Sequence, residues 1–200
     1  LRTAGVELLH GRARVAGPHA VTVQMAGGER TVTARHVLVA TGGRPALPEI
    51  PGREHVISSD AVFDLEPFPR RLLVVGGGYI ACEFTSIFQG LGAQVTLVHR
   101  GDALLRGFDD DVRQFLAAQL RAQGVDVRLG TVPQAVSTAP DGLAVALSDG
   151  TVRGADAVLM ATGRVPNSAG LGLAEAGVRL RDDGAVEVDA QYRSSVPSIL

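Results

Sequence analysis

The chain has 200 residues, of which 46% are hydrophobic and 20% charged, and a formal net charge of −2. This balance belongs to a globular chain that can bury a core, and it excludes a disordered segment or a basic nucleic-acid-binding surface. No apolar run approaches the ~20 residues that span a bilayer, so no membrane association is expected. A single cysteine, Cys82, allows no internal disulphide, which agrees with a cytoplasmic location.

Residues 1–44 read as β-rich. Val6–Leu9 leads into a strand around Arg12–Val15, Val21–Met25 alternates, Ala26–Glu29 makes a hairpin turn, and Thr31–Thr33 alternates again. His36–Ala40 reads as a buried strand running into Thr41-Gly42-Gly43, an ending that brings backbone amides against a ligand such as a nucleotide. Prolines at 45, 48, 51, 67 and 69 mark residues 45–70 as a linker of restricted backbone. Within it, Ser58-Ser59-Asp60 is placed to cap a short helix over Ala61–Leu65.

The stretch from Arg71 to Arg106 carries the chemistry. Leu72–Val75 is a short apolar run of the kind that forms a buried parallel strand. Gly76, Gly77 and Gly78 follow, and then apolar residues recur at helical spacing: Ile80, Phe84, Ile87, Phe88 and Leu91. Gly92 ends that helix in the left-handed conformation, and Val95–Val98 supplies a second strand. Strand, glycine turn, helix and strand form the context in which a dinucleotide fingerprint carries weight. Gly76 permits the tight turn, Gly78 admits a pyrophosphate to the helix N-terminus, and Ala81 stands at the third, small position.

The end of the second strand selects the dinucleotide. An NAD site places a carboxylate there to accept hydrogen bonds from the adenosine ribose. Here the strand ends in His99-Arg100, with Arg106 six residues on. Guanidinium forks match phosphate oxygens, so the pattern favours NADPH over NADH. Asp102 lies past the strand end and reads as loop.

After this unit, Phe108–Asp111 opens a helix with acids in its first turn, and Val112, Phe115, Leu116, Gln119 and Leu120 make its stripe before Gly124. Asp126–Leu129 reads as the next parallel strand. Pro133–Ala139 and Gly142–Leu147 form a hairpin pair, and Asp149-Gly150 turns into Thr151-Val152. Ala157–Met160 is a buried strand ending in a second Ala-Thr-Gly, at 161–163. The repeat, ATGGR at 40–44 and ATGR at 161–164, suggests two related nucleotide-binding modules, with residues 165–200 returning as short strand and turn.

Six stretches together resemble the class I pyridine-nucleotide disulphide oxidoreductases, which are FAD flavoproteins, and within them the bacterial and plant-type glutathione reductases. They are HGRA at 10–13, LVATGGRPALPEIPG at 38–52, VVGGGYIACEF at 74–84, HRGDALLRGFD at 99–109, ATGRVPN at 161–167 and RSSVPSIL at 193–200. The resemblance implies an α/β, Rossmann-like fold with two dinucleotide-binding domains. Residues 1–66 would be the later part of an FAD-binding domain plus linker, 67–163 a complete NADPH-binding domain, and 164–200 the return to a partial FAD module.

It further implies that Gly76, Gly78 and Ile80 hold the NADPH pyrophosphate and that Arg100 and Arg106 hold its 2′-phosphate. Tyr79 would be the ring covering the flavin at the nicotinamide pocket, Glu83 a carboxylate near nicotinamide and flavin, and Gly163 a neighbour of the coenzyme. Ala13 would lie by the FAD adenine, and Thr41 and Gly42 against the FAD dinucleotide. The implied parent is a homodimeric NADPH-dependent reductase of glutathione disulphide, with a trypanothione or mercuric reductase, or a non-catalytic NADPH-binding module, as the rival readings. The family's redox cysteine pair and its catalytic His and Glu have no counterpart in these residues. Cys82 reads as a buried helix thiol, no metal ligands are expected, and the chain reads as a segment of a longer one.

Overall fold

The computed structural model describes residues 1–200 and divides into two compact units, Pro45–Arg164 and the pair of segments Leu1–Arg44 and Val165–Leu200. The chain therefore enters the Pro45–Arg164 unit once and leaves it once.

In the first segments, β1 (Arg12–Gly17), β2 (Ala20–Met25) and β3 (Gly28–Thr33) form an antiparallel sheet in sequence order. The turn expected at Ala26–Glu29 tightens to the two residues Ala26 and Gly27. Val15 packs with Leu173, Val178 and Ile199 in a small core. Two expectations fail here. Val6–Leu9 forms no strand, and His36–Ala40 makes only a single bridge, between Val37 and Ile199. The backbone of Val37 and Val39 pairs with Ser198 and Leu200 on one side alone, and Leu38 is 72% exposed. An apolar run without a strand on its second flank cannot be the buried strand its composition suggests.

The Pro45–Arg164 unit is built on a parallel sheet. After β4 (Gly43–Pro45), at the entry to this unit, its strands are β5 (Ile57–Ser58), β6 (Arg71–Val75), β7 (Gln94–His99), β8 (Asp126–Leu129) and β12 (Ala157–Met160), in the order β5-β12-β6-β7-β8. Helices α1 (Tyr79–Gly90) and α2 (Asp110–Ala122) connect β6 to β7 and β7 to β8. An antiparallel sheet of β9 (Pro133–Ala139), β10 (Gly142–Leu147) and β11 (Val152–Ala155) intervenes before β12.

The alternation of side chains along β6 shows the layering. Leu72 and Val74 pack into one core with Ala81 and Phe88 of α1 and Leu120 of α2. Leu73 and Val75 pack into a second core with Val136, Val145 and Ala155 of the antiparallel sheet. Both faces are thus covered, which is why these strands read as unbroken apolar runs. Arg71, at the start of β6, ties the layers at their edge. Its guanidinium bonds the Asp156 carboxylate at 2.7 and 3.0 Å and the Asp141 carboxylate at 3.0 Å.

Residues 45–70, read as linker, lie within this unit; the Pro51 carbonyl accepts from the Val136 amide, and a Cβ on Gly52 would collide with the Val136 carbonyl. The short helix expected at Ala61–Leu65 is a three-residue 3-10 turn, Val62–Asp64, without a side-chain cap. The Ser58 hydroxyl instead accepts from the Asp60 amide, closing a local turn that competes with capping. The stripe of α2 is also rotated from its expected position. Ala117 and Leu120 are buried, whereas Val112 and Phe115 are 48% and 66% exposed.

Candidate functional site

At the carboxyl ends of β6, β7 and β12 the loops enclose a cavity of about 610 Å³. Its wall includes Gly76, Gly77, Gly78, Tyr79 and Ile80 from the glycine turn and the head of α1. His99 and Arg100 come from the end of β7, Thr131–Pro133 follow β8, and Ala161–Arg164 follow β12. Ligands of open parallel sheets bind in this crevice beyond the strand ends, and the volume falls in the range of about 300–1,000 Å³ typical of small-ligand pockets.

The glycines differ in what they permit. Gly76 has φ +145°, closed to other residues, and a Cβ there would collide with the Ala161 carbonyl oxygen. Its amide donates to the Val98 carbonyl at 2.9 Å, so the turn hugs both neighbouring strands. A Cβ on Gly77 would collide with the His99 ring, whereas one on Gly78 would meet nothing within 4 Å. Gly78 is the N-cap of α1, supplies no capping side chain, and opens its backbone to the cavity. The amides of the first turn of α1 therefore have neither an intrahelical nor a side-chain partner. Ala81, wholly buried, lets α1 lie close to β6.

The loop after β7 is fastened to the glycine turn. The Leu105 amide donates to the Gly77 carbonyl at 2.6 Å, and Leu105 itself is held at φ +52°, a left-handed conformation costly for leucine. Arg100 and Arg106 at either end of this loop are both exposed. Arg100 lines the cavity and Arg106 lies outside its wall, as does Glu83, exposed one turn along α1. Tyr79, 58% exposed, stands at the cavity wall with its ring largely unpacked.

Gly163 lines the same cavity with φ +132°. Its carbonyl accepts from the Ala46 amide at 2.9 Å, and the Thr162 hydroxyl donates to the Ala46 carbonyl at 2.7 Å. Of the residues singled out in the sequence, Gly76, Gly78, Tyr79, Ile80, Arg100 and Gly163 therefore converge on one cavity. Sequence reasoning missed Thr131, Val132 and Pro48 in its wall. A connection following a strand is the only signal they carry.

Ala13, Thr41 and Gly42 belong to the other unit, all three exposed. Ala13 sits on β1. Thr41 and Gly42 are held by Asn167, whose side-chain amide donates to the Thr41 carbonyl at 3.1 Å and whose backbone amide donates to the Gly42 carbonyl at 3.0 Å. Cys82 packs into the core beneath α1, and burial first, then the Glu83 charge, pushes its thiol up to about 11. A thiol so protonated is no nucleophile at neutral pH.

A parallel sheet whose first β-α turn is a glycine loop, opening an uncapped helix onto a cavity at the strand ends, defines a dinucleotide-binding α/β protein. The chain belongs to the pyridine nucleotide-disulphide oxidoreductase family, whose model matches residues 1–200. It is 47% identical over 199 residues to a glutathione reductase of Burkholderia cepacia, covering 100% of this chain and 43% of that protein. It is 42% identical over 200 residues to the chloroplastic/mitochondrial glutathione reductase of Pisum sativum, of which it covers 36%. A trypanothione reductase of Trypanosoma congolense is 40% identical over 206 residues, with 98% of this chain and 42% of that protein covered.

Among solved structures, the HOCl-induced flavoprotein disulfide reductase RclA from Escherichia coli superposes with TM-score 0.86 at 30% identity, over 96% of this chain and 44% of that one. LpdA from Mycobacterium tuberculosis gives 0.88 at 29% identity, over 99% and 45%. The chain spans less than half the length of the relatives it matches. No helix is long and apolar enough to cross a membrane.

Proposed function

We propose that this chain is the coenzyme-binding part of an NADPH-dependent, FAD-containing disulphide reductase whose substrate is glutathione disulphide. The observation that carries the reading is the cavity where an open glycine turn, an uncapped helix and Arg100 meet. In this reading the amides at Gly78–Ile80 take the coenzyme pyrophosphate, where the helix dipole favours an anion. Gly76 gives the turn its shape. Arg100 and the exposed Arg106 take the 2′-phosphate, and Gly163 borders the coenzyme. Tyr79, exposed at the wall, covers the nicotinamide position, with Glu83 on the next turn of α1. Residues 67–163 then form the NADPH-binding domain, completed by residues 45–66 of the same compact unit, and Ala13, Thr41 and Gly42 mark the FAD side in Leu1–Arg44 and Val165–Leu200.

Ala13, Thr41 and Gly42 would lie against FAD, which would supply the route for electrons between the coenzyme and a cysteine pair. Residues 1–200 contain no such pair, since Cys82 is alone and buried. The glutathione reductase names of the relatives support the substrate, and the proposed parent is a cytoplasmic homodimer.

The test is a pair of titrations on each of two variants, one with NADPH and one with NADH. A charged hydrogen bond is worth about 1.5–3 kcal/mol, so each arginine contributes roughly one to two powers of ten to NADPH affinity. Arg100→Ala should weaken NADPH binding by that amount and leave NADH binding unchanged, with Arg106→Ala doing the same to a smaller extent. Part of the effect should fade with added salt, because both guanidinium groups are exposed. Equal losses for both coenzymes would remove the 2′-phosphate assignment.

A further inference from the structure

His99 is the one titratable side chain built into the junction between the glycine turn and the loop that carries the arginines. Its imidazole occupies the space a Cβ on Gly77 would need, and the same ring lies 2.8 Å from the Cβ position of Gly101 through Nε2. It is thus wedged between two glycines, one on each loop, and it lines the cavity together with Arg100. The backbone of His99 is fixed as well, its carbonyl accepting from the Thr131 amide at 3.0 Å. Neither loop can move closer to the other without displacing the ring.

We propose that His99 is a specificity-determining residue of this site, whose imidazole holds the glycine turn against the arginine loop and takes up a proton when a coenzyme bearing a 2′-phosphate occupies the cavity. The proposal rests on the reading of the cavity as an NADPH site. Its physical basis is the charge environment. Burial, and after it the neighbouring Arg100 charge, hold the imidazole below its ordinary value, against the opposing effects of Asp102 and a hydrogen bond with the Ala103 backbone. The ring is therefore neutral at neutral pH in the free protein.

The other elements packed around it bring little further charge. The glycine turn (76–78) and the connection after β8 (130–133) contain no titratable side chain. Arg106 ends the arginine loop, and Arg164 and the Tyr79 phenol at the head of α1 also line the cavity. A phosphate on Arg100 would both offset the repelling cation and add an anion, so occupancy raises the affinity of the ring for a proton. By linkage, the added coenzyme affinity is complete below the free-state pKa and is lost as pH rises through the bound-state pKa. A rise of about one unit on binding corresponds to at most about tenfold in affinity across that window.

The experiment follows the imidazole itself by NMR titration of this chain alone, with NADP+ and with NAD+. The resonance is assigned by its loss in His99→Phe, a variant that keeps a ring between the glycines. The expected result is a pKa below the ordinary histidine value in the free chain, raised by saturating NADP+ and unmoved by NAD+. In parallel, the ratio of NADP+ affinities of wild type to His99→Phe should grow by about threefold to tenfold from pH 8 to pH 5.5. Taking this ratio cancels the ionisation of the 2′-phosphate, whose second pKa lies near ~6. His99→Gln, with a donor but no titration, should follow His99→Phe.

An imidazole pKa that NADP+ leaves unchanged while it binds, or a ratio independent of pH, would overturn the proposal and leave the ring as packing alone. Failure of the underlying reading has a different signature. In that case Arg100→Ala would retain the preference of NADP+ over NAD+ at every pH, whereas failure of the His99 proposal leaves that preference sensitive to Arg100.

Discussion

The two helices of the parallel-sheet unit begin in opposite ways. Helix α2 is closed by its own sequence. The Asp109 carboxylate accepts from the amides of Asp111 and Val112 at 3.0 and 3.4 Å, and Asp110 and Asp111 add negative charge to the first turn. Helix α1 has Gly78 at the same position, no acid in its first turn, no capping side chain, and a cavity in front of it. Each helix has the same unsatisfied amides and the same dipole. The chain satisfies one set internally and leaves the other facing a cavity, so the two helices differ in capping where the proposed reading puts the coenzyme pyrophosphate.

The comparison breaks if α1 is given the ending of α2. Gly78 has φ −84° and ψ 177°, extended backbone that any residue adopts, and a Cβ there meets nothing. Gly78→Asp should therefore fold, with a melting temperature equal to or above that of the parent, because aspartate is a good N-cap. Its carboxylate would take the amides offered to the pyrophosphate and repel what remains. We expect affinity for NADPH and NADH alike to fall on the order of a hundredfold or more, equivalent to the loss of one or two charged hydrogen bonds. Tight coenzyme binding by this variant, measured by fluorescence titration, would show that the phosphate lies elsewhere.

Two residues away the same kind of substitution acts through the fold. Gly76→Ala demands φ +145° of an alanine and drives its Cβ into the Ala161 carbonyl, so β6 and β12 must part. The expected cost is about 1–3 kcal/mol in stability, and coenzyme binding is lost with the shape of the turn. A thermal melt of the two variants side by side sharpens the contrast. Gly76→Ala should fall by roughly 2–4 °C per kcal/mol while Gly78→Asp holds. An unchanged melting temperature for Gly76→Ala would mean that the turn adapts.

The glycine unit was legible in the sequence for a physical reason. Leu72–Val75 is covered on both faces, so it reads as a run, and Gly76, which ends it, is set by a backbone conformation that no other residue adopts readily. Where the reading failed, the deciding contacts come from elsewhere in the chain. His36–Ala40 has the composition of a buried strand but pairs only with residues 198–200 on one side. The apolar spacing of α2 identifies a helix, yet Phe115 faces outward, because the sheet, not the helix, selects the buried stripe. Arg100 could be placed by its position at a strand end, while the wedge made by His99 needed the approach of Gly77 and Gly101, which lie on separate loops.

The smallest effect belongs to the other helix. Removing the cap of α2 by Asp109→Ala strands the Asp111 and Val112 amides at an exposed N-terminus, where water replaces the carboxylate in part. Capping substitutions of this type cost about 0.5–2 kcal/mol, and exposure places this one near the middle, at about 1 kcal/mol. Asp109→Asn keeps an acceptor and should recover most of the loss, since Asn and Asp cap comparably. Neither change should alter NADPH affinity, because α2 starts outside the cavity wall. Denaturant unfolding and a coenzyme titration on both variants provide the check. A loss of affinity in Asp109→Ala that Asp109→Asn does not restore would mean that the charge at the head of α2 acts on the site, and the division of labour between the two helices would not stand.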